Sequence, residues 1–189
     1  PLLALAIDEP DPAGGYYERV AGSHDVNGRF WEYAEWKPNR QLARQVSDED
    51  ALVALHRMAD AAVHVGITSM QIFPAMPLER FAKLLVRADL PIRVRAIAFS
   101  PTTPAGRDLS EIRGLARLQV PGSKVTVSGI KWIVDGTPIE RGAALREDYA
   151  DRPGWRGRLN FPESDIAGML GESLAFNQQL LLHCVGDKT

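Results

Sequence analysis

Hydrophobic residues recur at intervals of three to four positions in four segments of the chain, and this spacing predicts four helices. The clearest signal begins at Ser47, which forms a capping pattern with Asp50, and ends at Gly66, a residue suited to helix termination. The helices are predicted at residues 47–66, 77–87, 108–118 and 162–177.

Each predicted helix is followed by a short apolar segment with the composition of a strand. These strands are predicted at residues 67–73, 92–99, 127–134 and 179–184. A helix and strand order repeated in this way is typical of a parallel sheet covered by helices, so the chain is expected to be α/β. The pattern fits either an open doubly wound sheet or part of a βα-barrel. The absence of Gly-x-Gly-x-x-Gly after a strand disfavours a nucleotide-binding sheet.

The first 46 residues follow a different pattern. A connector rich in proline and glycine is followed by strand-like residues 16–20 and 29–33, and Asn27-Gly28 between them predicts the turn of a β-hairpin. Aromatic residues are concentrated at positions 16–36. A small core beneath the hairpin is the simpler interpretation of this concentration, and a lid or aromatic wall facing a substrate is the alternative.

The composition excludes several classes of protein. Hydrophobic residues make up 45% and charged residues 24% of the 189 residues, as in ordinary globular domains. The net charge of −2 and the lack of a basic run argue against nucleic-acid binding, and no apolar run approaches the roughly 20 residues of a membrane span. Cys184 is the single cysteine, so an internal disulfide is excluded and we expect a cytoplasmic location.

One lysine interrupts the apolar strand at 127–134. The two-residue period places Lys131 on the face opposite Trp132. Burying an unpartnered ammonium costs on the order of several kcal/mol, so Lys131 is paired, neutral, chemically modified or not buried. His183 lies at the end of the next predicted strand, and parallel α/β folds place their ligand sites at the carboxyl ends of strands. The two residues together indicate a functional site.

Motif-like segments occur along nearly the whole chain. They are Asp11-Pro-Ala-Gly-Gly15, Gly28 with Glu32, Gly66-Ile-Thr-Ser69, Gly129-Ile-Lys-Trp-Ile-Val-Asp-Gly-Thr137, the segment 142–157, and His183-Cys-Val-Gly-Asp187. In this order the segments resemble motifs of the amidohydrolase superfamily, in the branch that includes N-substituted formamide deformylases. The resemblance implies a metal-dependent (β/α)8 TIM barrel, of which this chain supplies about strands two to five, with Lys131 on the fourth strand and His183 on the fifth.

The resemblance also implies a chemistry. Lys131 would carry a carbamate formed with carbon dioxide, and His183 would bind metal through a neutral ring nitrogen, so both residues are expected to be metal ligands and catalytic residues. One or two divalent ions, zinc by expectation, would activate water for hydrolysis of an amide-type C–N bond in a small molecule. Asp135 and Asp187 are candidates for orienting these groups, or are turn and cap residues.

Several ligands of the superfamily are absent from the sequence. The family pattern needs a His-x-His pair on the first strand, a histidine on the sixth and an aspartate on the eighth, and His24, His56 and His64 do not match these places. Gln71-Ile72 also replaces a His-Asp pair that relatives carry. We therefore expect an inactive fragment, with residues 1–46 as connector and hairpin insertion and 47–189 as an incomplete barrel. The missing barrel segments would come from a longer parent chain or a homo-oligomer.

Two other interpretations remain at this stage. Lys131 could be the Schiff-base nucleophile of a βα-barrel lyase or aldolase, because lysines in apolar barrel interiors can act in this way. The chain could also be a folded, non-catalytic interaction module.

Overall fold

The computed structural model describes residues 3–118 and 124–189, so residues 1–2 of the predicted connector lie outside it. The strands of the described residues are β1 (Gly15–Arg19), β2 (Val26–Glu32), β3 (Ser69–Ile72), β4 (Arg93–Phe99), β5 (Thr102–Thr103), β6 (Gly106–Arg107), β7 (Val125–Ile133) and β8 (Leu180–His183). The central sheet has the order β3-β4-β7-β8, its strands are all parallel, and it curls into a half-barrel. The predicted parallel α/β architecture is confirmed for these strands.

The four predicted helices are present, with small differences in their bounds. The described helices are α1 (Trp36–Gln45), α2 (Asp48–His64), α3 (Leu78–Ala88), α4 (Ser110–Gly114), which continues as a 3-10 turn over Leu115–Leu118, and α5 (Glu163–Ala175). Ser47 caps α2 as predicted, because its Oγ accepts a hydrogen bond of 3.0 Å from the amide of Asp50. The helix α1 was not predicted from the sequence. None of the described helices has the length and apolar composition needed to cross a membrane.

The main core lies between the sheet and the helices that cover its outer face. Trp132, near the C-terminal end of β7, is completely buried in this core, which also contains Ala96 of β4 and Met169 of α5. The strongly apolar face of α3 supplies Leu84 and Leu85, which are also inaccessible to solvent. Alternate residues of the strands therefore have opposite roles: one set packs against helices and the other faces the interior of the half-barrel.

A bulge in β7 keeps its apolar residues on the side of the sheet that faces the core. Val127 pairs with Ala96 and Ile130 with Ala98, so β7 uses one more residue than β4 over the same distance. Gly129 sits in the bulge with φ of +89°, a conformation that favours glycine. The bulge allows Val127 and Ile130, three positions apart, to share the same core.

The N-terminal hairpin is present, but its predicted turn is wrong. Strands β1 and β2 are antiparallel, and Arg19 pairs with Val26, which places the turn at residues 20–25. Asn27 and Gly28 lie inside β2, where the pairing register shifts. Gly28 has φ of +92°, so this glycine accommodates the irregularity in β2 and does not form the hairpin turn.

Candidate functional site

Lys131 and His183 lie on the same face of neighbouring strands, at the C-terminal edge of the sheet. Lys131 pairs with Leu181, and His183 pairs with Ile133, two residues further along β7. Side chains of paired residues in parallel strands point to the same side, as do alternate residues of one strand. With strands about 4.8 Å apart and a rise of about 3.3 Å per residue, the two Cα atoms are about 8 Å apart.

Lys131 is half-buried against an aromatic ring. Its Nζ lies 3.8 Å from the centroid of the Phe73 ring, and Phe73 in turn packs edge-on against Phe99, the register neighbour of Lys131 on β4. Within residues 3–118 and 124–189, no carboxylate pairs with Lys131. Burial lowers the pKa of Lys131 below its usual range. Of the four possibilities raised by the sequence, an ion pair is therefore excluded among these residues.

The other candidate ligands do not gather around Lys131. His183 is exposed at the end of β8, and Cys184 after it is exposed as well. His56 and His64 lie on exposed positions of α2, away from the strand ends. In the part of the chain that the structure describes, no three His, Cys, Asp or Glu side chains converge in a way that could hold a metal ion. Lys131 and His183 therefore form at most part of a metal site.

Hydrogen bonds from other segments fix the end of β7. The hydroxyl of Tyr33 accepts a bond of 2.8 Å from the amide of Ile133, and Asn160 donates to the Ile133 carbonyl over 3.2 Å. The amide of Asn160 donates to the Val134 carbonyl over 2.7 Å. Two segments distant in sequence therefore hold the strand end beside Lys131 in place. Burial raises the pKa of Tyr33, so the hydroxyl stays neutral.

Asp135 is the main structural carboxylate of the strand edge. It is completely buried, and its oxygens accept bonds of 2.8–2.9 Å from the amides of Ala144, Val185 and Gly186 and one of 2.7 Å from the hydroxyl of Thr189. Asp135 therefore joins the end of β7 to the segment after β8, which carries on from His183.

Asp187, the second proposed orienting residue, accepts a bond of 2.9 Å from the amide of Arg146. Backbone groups thus occupy both carboxylates that the sequence offered as orienting residues. Asp135 and Asp187 therefore affect Lys131 and His183 by holding the strand ends in position.

A pocket of about 580 Å³ opens beside the strand edge, and we call it the rim pocket. It is lined by residues of the segment 29–39, by Phe99 and Ile133, and by Thr137 and Glu140. Phe99 and Ile133 are the register neighbours of Lys131 and His183, so the pocket adjoins the two predicted ligands without including them. Its volume is in the range of small-molecule sites.

The aromatic residues at 16–36 divide between the core and the rim pocket. Tyr33 is buried and packs against Trp132 and Phe161 in the core. Trp31 and Trp36 line the rim pocket, where Trp36 lies 4.4 Å from Phe99 between ring centroids. Tyr33 therefore belongs to the main core, and a role of the other aromatic residues in facing a substrate stays a prediction.

Three glutamates, which the sequence did not assign to a site, line the rim pocket. Burial raises the pKa of Glu32, although the hydrogen bond of 3.0 Å from Asn160 opposes the effect. Burial, Glu32 and Glu140 also raise the pKa of Glu35. These residues come from segments more than a hundred positions apart, so spacing could not reveal the cluster. Glu32 alone carried a signal, through its place in a family-like motif with Gly28.

The half-barrel is similar in fold to solved structures of two metal-dependent hydrolases. An uncharacterized metal-dependent hydrolase from Pyrococcus horikoshii OT3 superposes on 99% of the chain with a TM-score of 0.69 and 18% identity. One from Pyrococcus furiosus superposes on 92% of the chain with a TM-score of 0.65 and 17% identity. No family model matches the chain, and no curated protein matches it.

The likeness to these two structures establishes the fold. The chain spans 36% of the length of each of the two hydrolases, which agrees with a partial barrel. At 17–18% identity the superposition does not transfer ligands or substrates from one protein to the other.

Proposed function

We propose that the chain carries part of the metal centre of a hydrolase, of the amidohydrolase type, that cleaves an amide-type C–N bond in a small molecule. The observation that carries the proposal is the placement of Lys131 and His183 on one face at the ends of adjacent parallel strands. Such ends are where barrel enzymes place catalytic groups. The likeness in fold to metal-dependent hydrolases supports the same class.

The environment of Lys131 fits a carbamate ligand. The amine rests on the Phe73 ring without a carboxylate partner among the described residues, so its nitrogen is free to react. A neutral amine and carbon dioxide form a carbamate with release of one proton, which converts the side chain into an anionic oxygen donor. The carbamate of Lys131 and a ring nitrogen of His183 would then hold a divalent ion, zinc by expectation.

The chain's own residues would position this centre. A divalent ion bound there would supply Lewis-acid activation of water and of the substrate carbonyl. Phe73, which packs against Phe99, covers the Lys131 amine on one side, while Asp135 and Asn160 fix the strand ends from which the ligands project. The adjoining rim pocket would receive the substrate.

The centre needs donors beyond these two. No set of three His, Cys, Asp or Glu within residues 3–118 and 124–189 can hold a metal, so we propose that further barrel segments complete it. Strands β3 and β8 are the outer strands of the described sheet and offer unpaired backbone groups to such segments. A longer parent chain or a second copy could supply them.

The test is carbamate formation at Lys131 together with metal binding by the protein in which the further barrel segments are present. After incubation with ¹³C-bicarbonate and Zn²⁺, we expect a carbamate carbon signal by NMR and zinc by elemental analysis. Lys131→Ala should abolish the signal, and it and His183→Ala should each weaken zinc binding by about tenfold or more. Lys124→Ala removes a lysine just before β7 that pairs with Asp89, and should change neither readout.

Two results would contradict the proposal. Undiminished zinc binding by both Lys131→Ala and His183→Ala would separate these residues from the metal. Trapping of a carbonyl compound on Lys131 by borohydride, without any bound metal, would instead favour the Schiff-base mechanism.

A further inference from the structure

A second cavity, of about 280 Å³, shares Trp31, Glu32 and Glu140 with the rim pocket, and we call it the arginine cavity. Its lining also includes Arg141, Arg152, Arg158 and Asn160. We propose that the cavity binds the carboxamide group of a small molecule, whose carbonyl accepts a hydrogen bond from Arg158 and whose NH2 group donates one to Asn160. The proposal follows from two buried polar atoms without partners and from the balance of charge around them.

Neither Lys131 nor His183 belongs to the described lining of this cavity. The bound carboxamide is therefore not the bond that the proposed metal centre would cleave. Its role as a recognition group of the substrate rests on the proposed hydrolase function, whereas its binding does not.

Asn160 provides the first unpartnered atom, an acceptor. This side chain is only 8% exposed, and its amide nitrogen donates to Glu32 over 3.0 Å and to the Ile133 carbonyl over 3.2 Å. These two acceptors fix the orientation of the amide, because a flipped side chain would place its oxygen against theirs. The buried Oδ1 has no hydrogen-bond partner among the described residues. Rotation of the side chain does not satisfy this acceptor, so it needs a donor from elsewhere.

Arg158 provides the second unpartnered atom, a donor. Its Nη2 is buried and makes no hydrogen bond within residues 3–118 and 124–189. The guanidinium carbon lies 4.4 Å from the centroid of the Tyr16 ring, which also lines the cavity. The guanidinium acts electrostatically on Glu32, the carboxylate to which Asn160 donates. A buried donor and a buried acceptor thus lie beside one carboxylate, and a carboxamide carries the complementary acceptor and donor on a single carbon.

The charges around the arginine cavity disfavour an ion. Three arginine and three glutamate side chains line it, so neither sign of charge prevails. An anion would meet Glu32 and Glu140, and a cation would meet Arg152 and Arg158. A neutral group that both donates and accepts hydrogen bonds avoids both repulsions.

The size and walls of the cavity suit a carboxamide attached to a flat apolar group. Its volume of about 280 Å³ exceeds the roughly 30 Å³ that one water molecule occupies in the liquid. Tyr16 and Trp31 line it with stacked rings whose centroids are 5.7 Å apart. Such rings offer apolar surface to an aromatic substituent.

Benzamide tests the proposal against two analogues, by calorimetry on the 189-residue chain, which contains the whole described lining. Acetophenone keeps the carbonyl but carries a methyl group in place of NH2, and benzoate carries a charged oxygen there. We expect benzamide to bind about tenfold more tightly than either analogue, because both leave the Asn160 oxygen without a donor.

Two variants separate the contributions of the two unpartnered atoms. Arg158→Met keeps a long side chain beside Tyr16 but removes the guanidinium, and should weaken benzamide binding by about tenfold. Asn160→Ala should remove the preference for benzamide over acetophenone. Arg156→Met is the matched control, since Arg156 pairs with Asp148 at the surface outside the cavity and should leave both affinities unchanged.

Acetophenone that binds as tightly as benzamide would overturn the proposal, and tighter binding of benzoate would identify an anion site instead. An Arg158→Met protein, shown to be folded by circular dichroism, that binds benzamide as the Arg156→Met protein does would also overturn it. This variant keeps the test decisive if Asn160→Ala fails to fold, because Asn160 also bonds to β7. Absence of benzamide binding at millimolar concentration would show that the cavity holds water only. Lys131→Ala should retain benzamide binding, so failure of the metal centre would be distinguished from failure of this proposal.

Discussion

Asp135 shows how one carboxylate can determine the geometry of a strand edge. It was expected either to orient metal ligands or to end a turn. In the structure it accepts hydrogen bonds from three backbone amides and one hydroxyl while completely buried. Removing an acceptor from such a network leaves buried donors unsatisfied, which is among the more destabilising changes in a protein.

We expect Asp135→Asn to lower the free energy of unfolding by about 2–4 kcal/mol, because an amide nitrogen replaces one of the accepting oxygens. Urea denaturation followed by tryptophan fluorescence measures this change. Asp89→Asn is the control, since Asp89 is exposed, pairs with Lys124 at the surface and has a left-handed backbone that asparagine tolerates. An Asp135→Asn protein as stable as the control would show that the network contributes little.

Among the elements, the bulge in β7 determines which side chains face the helices and which face the half-barrel. Beyond Gly129, Ile130 and Trp132 point to the core and Lys131 to the opposite face. Without the extra residue, the side chains after the bulge would change faces, and Lys131 would point into the helix layer. The position of the candidate ligand is thus a consequence of the strand's irregularity.

Gly129→Ala should therefore destabilise the chain by about 1–3 kcal/mol, because alanine is strained at φ of +89°. Its Cβ would also lie 2.6 Å from Nη2 of Arg95, which would have to move. Thermal unfolding of Gly129→Ala and Gly171→Ala side by side measures the effect. Gly171 lies in α5 with open space around it, so the second variant should be stabilised by about 0.5–1 kcal/mol. Equal shifts in both would argue against strain at the bulge.

The sequence predicted the elements whose residues repeat regularly, and missed those that depend on tertiary contacts. The periodic apolar faces of α2 and α3 and the apolar strands were found because burial imposes that spacing. Helix α1 buries Trp36 and Pro38 but carries few other apolar residues, so its pattern was weak. The turn of the hairpin was misplaced because glycine at a strand irregularity looks the same in sequence as glycine in a turn.

At the scale of the molecule, the parts of the candidate site that depend on tertiary contacts could not be predicted from the sequence either. Lys131 and His183 could be proposed from sequence because parallel strand ends share one edge. The rim pocket could not, since Glu32 and Glu140 meet only when the hairpin folds over the end of β7. Functional residues at strand ends can therefore be predicted from the sequence, whereas a pocket formed by separate loops cannot.

The open edges of the half-barrel lead to a prediction about self-association. Because β3 and β8 are the outer strands of the described sheet, the 189-residue chain by itself should associate through these edges. Native mass spectrometry should then show species heavier than 20.8 kDa, with the proportion rising with protein concentration. A well-folded monomer of 20.8 kDa at all concentrations would contradict both this expectation and the proposed completion of the barrel.

The hydrogen bonds to Asp135 also couple the motions of the two segments that donate them. The amides of Ala144, Val185 and Gly186 share this acceptor, although they belong to two separate segments. Opening of either segment removes donors from the same buried charge and so makes release of the other easier. The loop after β7 and the chain leaving β8 should therefore exchange their amide hydrogens as one cooperative unit, and His183 would become mobile only when that whole unit opens.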